Sequence, residues 1–234
     1  MIKATVGGVD EAVNGRRAYD ASRRRAAARE RHVRILDAAE RLFVERGYLG
    51  TTMAAVAEAA GVAVDTVYAS VGTKPELLML LNDRAVTGSS DSLPPEERDV
   101  VRTITAEPDP VRKLEIYARS VAAIRPRQVP LHLVVRDAAG ADAGIATVWA
   151  DGMERRARNL RSFAADLDRT GRLRPALDVD TVRDIIWATS SPESWCLLVG
   201  DRGWSAERFA DWLRDTWVMT LLADPGRDGS GTPA

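Results

Sequence analysis

One cysteine and two histidines in 234 residues leave little material for metal, thiol or acid–base chemistry. The lone Cys196 excludes an intramolecular disulfide and points to a reducing compartment, so a cytoplasmic location is expected. Its apolar neighbours in SWCLLV are a setting that keeps a thiol inert. His32 and His132 lie a hundred residues apart. The chain has no H-E-x-x-H, no G-x-x-x-x-G-K-[ST] and no G-x-G-x-x-G behind a strand. An enzyme, a metal site and a cofactor are therefore not expected. No apolar run approaches the 18 residues of a membrane span, and the first residues lack the apolar centre of a leader, so no membrane partner is expected. Alternating apolar and polar runs rich in β-branched residues are also missing, as is any repeat at fixed period.

What remains is helical. The chain is 45% hydrophobic and 29% charged, enough to build a sizeable core under a solvated surface. A net charge of −1 hides an asymmetry: residues 1–34 carry nine Lys or Arg against four Asp or Glu, and the rest of the chain is correspondingly acidic. Four segments are expected: a flexible basic arm over 1–28, a helical module over 29–75, a larger helical domain over 76–223, and a disordered tail over 224–234. An apolar stripe of Ile35, Leu36, Ala39, Leu42 and Phe43 predicts a first helix of about sixteen residues from Arg29, stopped by Gly47. A second helix starts at Thr51 or Thr52 and ends at Gly61. A third spans Val64 to Val71, and a fourth opens at Lys74 with Pro75 in its first turn. After the loop over 87–99, helices are expected near 110–125, 127–138, 142–170, 178–190, 192–200 and 205–223.

The stretch TTMAAVAEAAGVAVDTVYASVGTK, residues 51–74, holds two short helices joined at Gly61, the geometry of a helix-turn-helix. An αα-corner in an ordinary bundle has the same outline. The third helix presents Val64, Asp65, Thr66, Tyr68 and Ala69, side chains short or hydroxylic enough to lie deep in a major groove. Thr52, Tyr68 and Lys74 stand at its edges as phosphate contacts. The cationic charge such a surface needs is supplied upstream by Arg23, Arg24 and Arg25.

Residues 34–78, with Gly61, Val62, Thr66, Tyr68 and Lys74 in the pattern G-V-x-x-x-T-x-Y-x-x-x-x-x-K, resemble the DNA-binding domain of the TetR family of bacterial transcriptional regulators. The resemblance implies an all-α protein: a three-helix helix-turn-helix domain followed by a helical bundle that binds a small molecule and forms a homodimer. It implies a repressor on a palindromic double-stranded DNA operator, released by a small-molecule effector. It also implies that Thr52, Tyr68 and Lys74 grip phosphates while Val64, Asp65, Thr66 and Ala69 face base edges. Ala63 stands where the family has a serine cap, and Val71 where it has a phenylalanine. A sequence-indifferent architectural DNA-binding protein and a helical scaffold without an operator are the rival classes.

In the rear domain, His132, Arg136, Trp149, Met153 and Trp187 are the candidate effector contacts. Trp149 and Met153, four residues apart, fit a pocket wall and plain core equally. Phe209, Trp212, Leu213, Trp217 and Leu221 recur at spacings of one, three and four on the last helix. Such a stripe is either a well-buried core or half of a four-helix interface, and with Val182, Ile185 and Ile186 of the preceding long helix it is expected to form the dimer interface.

Overall fold

The structure is a computed structural model that describes residues 9–88 and 98–223, with side chains from residue 22 onward. The expected tail over 224–234, residues 1–8 of the expected arm and most of the 87–99 loop lie outside the described residues. Among the described residues the chain is all-α, with one isolated bridge between Leu173 and Leu222. It divides into two compact units, Met1–Leu77 and Leu78–Ala234.

The first unit opens with α1, Val9–Arg46. The expected flexible arm is thus corrected from Val9 onward to helix, and α1 is 38 residues long rather than sixteen. Residues 22–31 are exposed, so propensity more than packing carries this stretch, and the Ala26, Ala27 and Ala28 run between arginines is among the strongest helix-forming material available. Further along, Ile35, Leu36, Ala39, Leu42 and Phe43 are buried as the stripe predicts. Gly47 ends α1 at φ 70°, its amide donating to the Phe43 carbonyl at 3.0 Å. The buried Thr51 hydroxyl closes the corner by donating to the carbonyls of Leu42 at 3.0 Å and Gly47 at 2.9 Å.

Thr52 rather than Thr51 caps α2, Met53–Ala60: its hydroxyl accepts from the Ala55 amide at 3.1 Å. Gly61, at φ 66°, lets its own amide reach Glu58 O and that of Val62 reach Ala57 O, the paired bonds of a Schellman turn. Helix α3, Val64–Val71, follows at 102° to α2. It starts at Ala63 without a side-chain cap, and it buries Val67 and Val71. Helix α4, Lys74–Thr87, is capped by Glu76, whose Oε2 accepts from the Thr73 amide at 2.6 Å and the Thr73 hydroxyl at 2.8 Å. These bonds hold the Glu76 carboxyl below its ordinary pKa.

The second unit contains α5 (Asp99–Ala106), α6 (Pro110–Ala139), α7 (Ala143–Asp168), α8 (Val179–Thr189), α9 (Pro192–Trp195) leading into a π-helical turn (Cys196–Asp201), and α10 (Ala206–Leu221). The expected break at Pro126 is corrected: α6 runs through both Pro126 and Pro130. Each interior proline costs about 3 kcal/mol of helix propensity. Each fully buried Leu or Val side chain contributes about 1.5–3 kcal/mol, and Leu114, Val121, Val129, Leu131, Val134 and Val135 on α6 are all buried. Packing outweighs the two breaks. Lys113, 3% exposed, ties α6 to two neighbours, its ammonium donating to Ile104 O at 2.7 Å and to Asp166 of α7 at 2.5 Å.

The expected dimer stripe is also corrected. Phe209, Leu213, Trp217 and Leu221, with Val182 and Ile186, are all at 0% exposure in the single chain, so these six have no surface to give a partner. The stripe packs inward against α6, α7 and α8 as core. Trp217 stacks on Tyr117 at 5.6 Å and donates from its indole to Thr189 Oγ1 at 2.7 Å. Only Ile185 and Trp212 of the expected set keep partial exposure.

Candidate functional site

In the first unit, α3 separates two faces. Val67 and Val71 are buried, while Val64 (38% exposed), Asp65, Tyr68 (49% exposed) and Ala69 face outward and Thr66 is half-buried. Apart from Tyr68, the side chains on the outer face of α3 are short, so a grooved partner can approach it closely. On α1, His32 Nδ1 lies 2.9 Å from Ser70 Oγ, fastening the end of α3 to α1. Thr52 is exposed at the start of α2. Lys74 is half-buried, its ammonium 3.9 Å above the Tyr48 ring, which itself stacks on Phe43 at 5.9 Å. Sequence reasoning missed both His32 and Tyr48 as positioning residues; their distant partners leave no local spacing signal. Arg23, Arg24 and Arg25 are exposed on α1, and as consecutive helical residues they fan out about 100° apart, so all three cannot address one groove.

In the second unit, the five expected effector contacts divide. His132 is 6% exposed, its ring 4.9 Å from that of Trp149 and its Nε2 3.1 Å from Glu193 Oε1. Desolvation holds the imidazole below its ordinary pKa against the pull of Glu193. Trp187 lies under the Arg156 guanidinium at 4.2 Å. Met153 is half-buried, and Arg136 is exposed, paired with Asp137 at 3.3 Å and with Glu193 at 3.9 Å.

A polar cluster that sequence reasoning missed lies beside them around Ser190, which is fully buried. Arg125, 5% exposed, donates to the Ser190 carbonyl and to Gln128 Oε1. Its Nε is buried with no acceptor. Arg156 donates to Ser190 Oγ at 3.1 Å and to Trp187 O at 2.8 Å. The Tyr117 phenol is a further titratable group of this buried cluster. Burial, reinforced by the Arg156 charge, pushes the Arg125 guanidinium down to about 10. Desolvation likewise lowers Arg156 and raises Tyr117. The signal was available: Ala118, Val121, Ala122, Arg125 and Val129 keep helical core spacing straight through the arginine. Cys196, the one thiol, is half-buried and raised by desolvation and the Glu193 charge, a protonated and unreactive state. No group of three His, Cys, Asp or Glu side chains among the described residues has the arrangement of a metal site. No single helix among them is long and apolar enough to cross a membrane.

Residues 35–79 match the family of bacterial regulatory proteins, tetR family. No curated protein matches the sequence. Among solved structures, the chain resembles NalD, the secondary repressor of the MexAB-OprM multidrug efflux pump in Pseudomonas aeruginosa. That match has a TM-score of 0.66 at 20% identity over 85% of this chain and 99% of the other. It resembles FadR of Bacillus subtilis, solved in complex with stearoyl-CoA, at a TM-score of 0.64 and 17% identity over 80% of this chain and 97% of the other. It resembles a transcriptional regulator of Saccharomonospora viridis, solved in complex with choline, at a TM-score of 0.62 and 18% identity over 83% and 99%. Residues 35–79 thus carry the N-terminal domain of the tetR family of bacterial regulatory proteins, and the described chain shares the all-helical fold of these three structures.

Proposed function

We propose that the protein is a sequence-specific repressor that binds a palindromic duplex operator as a homodimer and is released by a small-molecule effector held in the second unit. The observation that carries this reading is the two-faced α3: Val67 and Val71 buried, and Val64, Asp65, Tyr68 and Ala69 exposed, at 102° to α2. In this reading α3 enters the major groove, Val64, Asp65, Thr66 and Ala69 meet base edges, and Tyr68, Thr52 and Lys74 bind phosphates. One or two of Arg23, Arg24 and Arg25 add phosphate contacts from α1. The Lys74 ammonium then leaves or shares its place over Tyr48.

Dimerisation uses the outer faces of α8 and α10, where Ile185 and Trp212 are half-buried and Met219 is 66% exposed. A homodimer carries two copies of α3, one for each of two half-sites one helical turn apart. Effector binding is expected to favour one spacing of the α3 pair over another, by as much as its affinities for the two states differ. The complexes of relatives with choline and stearoyl-CoA support a small-molecule role for the second unit. Crosslinking the protein to DNA in its own cells and sequencing the immunoprecipitated fragments tests the function. A few discrete sites sharing a two-fold symmetric motif are expected, and uniform coverage would assign an architectural role instead.

A further inference from the structure

Around Ser190 the second unit gathers more positive charge than the neighbouring side chains neutralise, from a buried Arg125 and a half-buried Arg156. Arg125 and Arg156 both reach Ser190, and Arg125 keeps a buried Nε that nothing accepts from. The other titratable groups at the cluster are Tyr117 and His132 on α6, Glu193 on α9 and Cys196 in the π-helical turn. Desolvation keeps the phenol, the imidazole and the thiol neutral. Glu193 is the one carboxylate in reach, and it is turned to the surface, half-exposed, and shared with His132 and Arg136. Two guanidiniums against one shared carboxylate leave an excess of one positive charge. A buried charge without a partner is a costly arrangement, and a folded chain keeps one where something arrives to pair with it.

We propose that Arg125, Arg156 and the Tyr117 hydroxyl form the anion-recognising end of the effector site, and that the effector is an amphipathic monocarboxylate. This rests on the effector-responsive reading above and names the ligand class for it. The carboxylate takes the orphaned Nε–H of Arg125 and a free N–H of Arg156, guanidinium geometry that matches a planar carboxylate. A monoanion closes the charge balance at zero, whereas a phosphate dianion leaves it at minus one. The apolar part of the ligand lies against Trp187, which packs under the Arg156 guanidinium, and Phe163, whose ring contacts that of Tyr117.

The test uses the full-length protein without DNA at pH 7.5 and three probes with unbranched chains of matched length, below their micellar concentrations: decanoate, decanol and decyltrimethylammonium. Binding is followed by calorimetry and by the shift in thermal midpoint. Decanoate is expected to bind at least tenfold more tightly than decanol, with the ammonium probe weakest, and Arg125→Gln is expected to reduce the decanoate preference to under twofold. If Arg125→Gln fails to fold, Arg156→Gln is read by the same criterion. Equal binding of decanoate and decanol, tighter binding of the cation, no binding of any probe, or a variant that keeps the preference would each overturn the proposal. Discrete operator sites found together with any of those results would leave the regulator reading standing and remove only the carboxylate.

Discussion

Trp217→Ala distinguishes a core residue from an interface residue. Trp217 has no exposed surface in the single chain, stacks on Tyr117 at 5.6 Å and donates to Thr189 Oγ1 at 2.7 Å. Truncating a buried tryptophan costs about 3–5 kcal/mol through lost transfer energy and the cavity left behind. For a domain of this size each kcal/mol moves the thermal midpoint by about 2–4 °C, so a drop on the order of 6–20 °C is expected. Trp217→Phe separates the components, because it keeps most of the aromatic volume and removes the indole N–H. Thr189 still donates its hydroxyl to Ile185 O at 2.7 Å, so the lost bond should cost about 1 kcal/mol. Urea unfolding by circular dichroism and sedimentation would be run at matched protein concentration, since dimerisation couples to stability. The refuting result is a Trp217→Ala protein with wild-type stability and a lowered dimer affinity, which would put the indole between subunits.

Other perturbations probe single devices. Gly61→Val forces a β-branched residue to φ 66° and should destabilise the first unit by about 1–2 kcal/mol, seen as earlier loss of amide protection in α2 and α3 during hydrogen exchange. Thr52→Ala removes the α2 cap and should cost about 1 kcal/mol in urea unfolding, besides weakening DNA binding equally across sequences. Lys113→Met leaves the Ile104 carbonyl with only the Glu107 amide, at 3.3 Å, and Asp166 with only Arg169, so about 2–3 kcal/mol of destabilisation is expected in the same assay. His132 titrates below 6.5 in the folded chain, and the unfolded chain therefore takes up its proton first as pH falls. Stability should decline as pH drops from about 6.5 through the folded value, and His132→Gln should flatten that slope in a pH series of melting curves.

The local features of the first unit were legible because they are short-range. The glycine stop at Gly61, the Thr52 cap and the apolar spacing of α3 are each set within a few residues, and α3 starts and ends where the pattern predicts. The start of α1 was not legible, because an alanine and arginine run without an apolar stripe reads equally as a solvated leader and as a helix held by propensity. Pro126 misled for the opposite reason, since the burial that outweighs it comes from α7, α8 and α10, far along the chain. The tryptophan stripe of α10 was read at the right spacing but assigned to a partner. Periodicity reports that a face is covered and does not report by which chain. The Arg125 cluster was hidden because arginines are ordinarily read as surface, and only the two-sided burial of α6 shows that this one points inward.

Sequence reading is assigned to the exposed face of α3. Its most direct test is an equilibrium titration of the purified protein with the most enriched duplex from a random-sequence selection, against the same duplex with its bases shuffled. Two protomers per symmetric site and an affinity at least about 10³-fold tighter than for the shuffled duplex are expected, with Tyr68→Phe weakening both by similar factors and Ala69→Leu collapsing the difference between them. Equal affinity for the selected and shuffled duplexes, or an Ala69→Leu protein with undiminished discrimination, would contradict it.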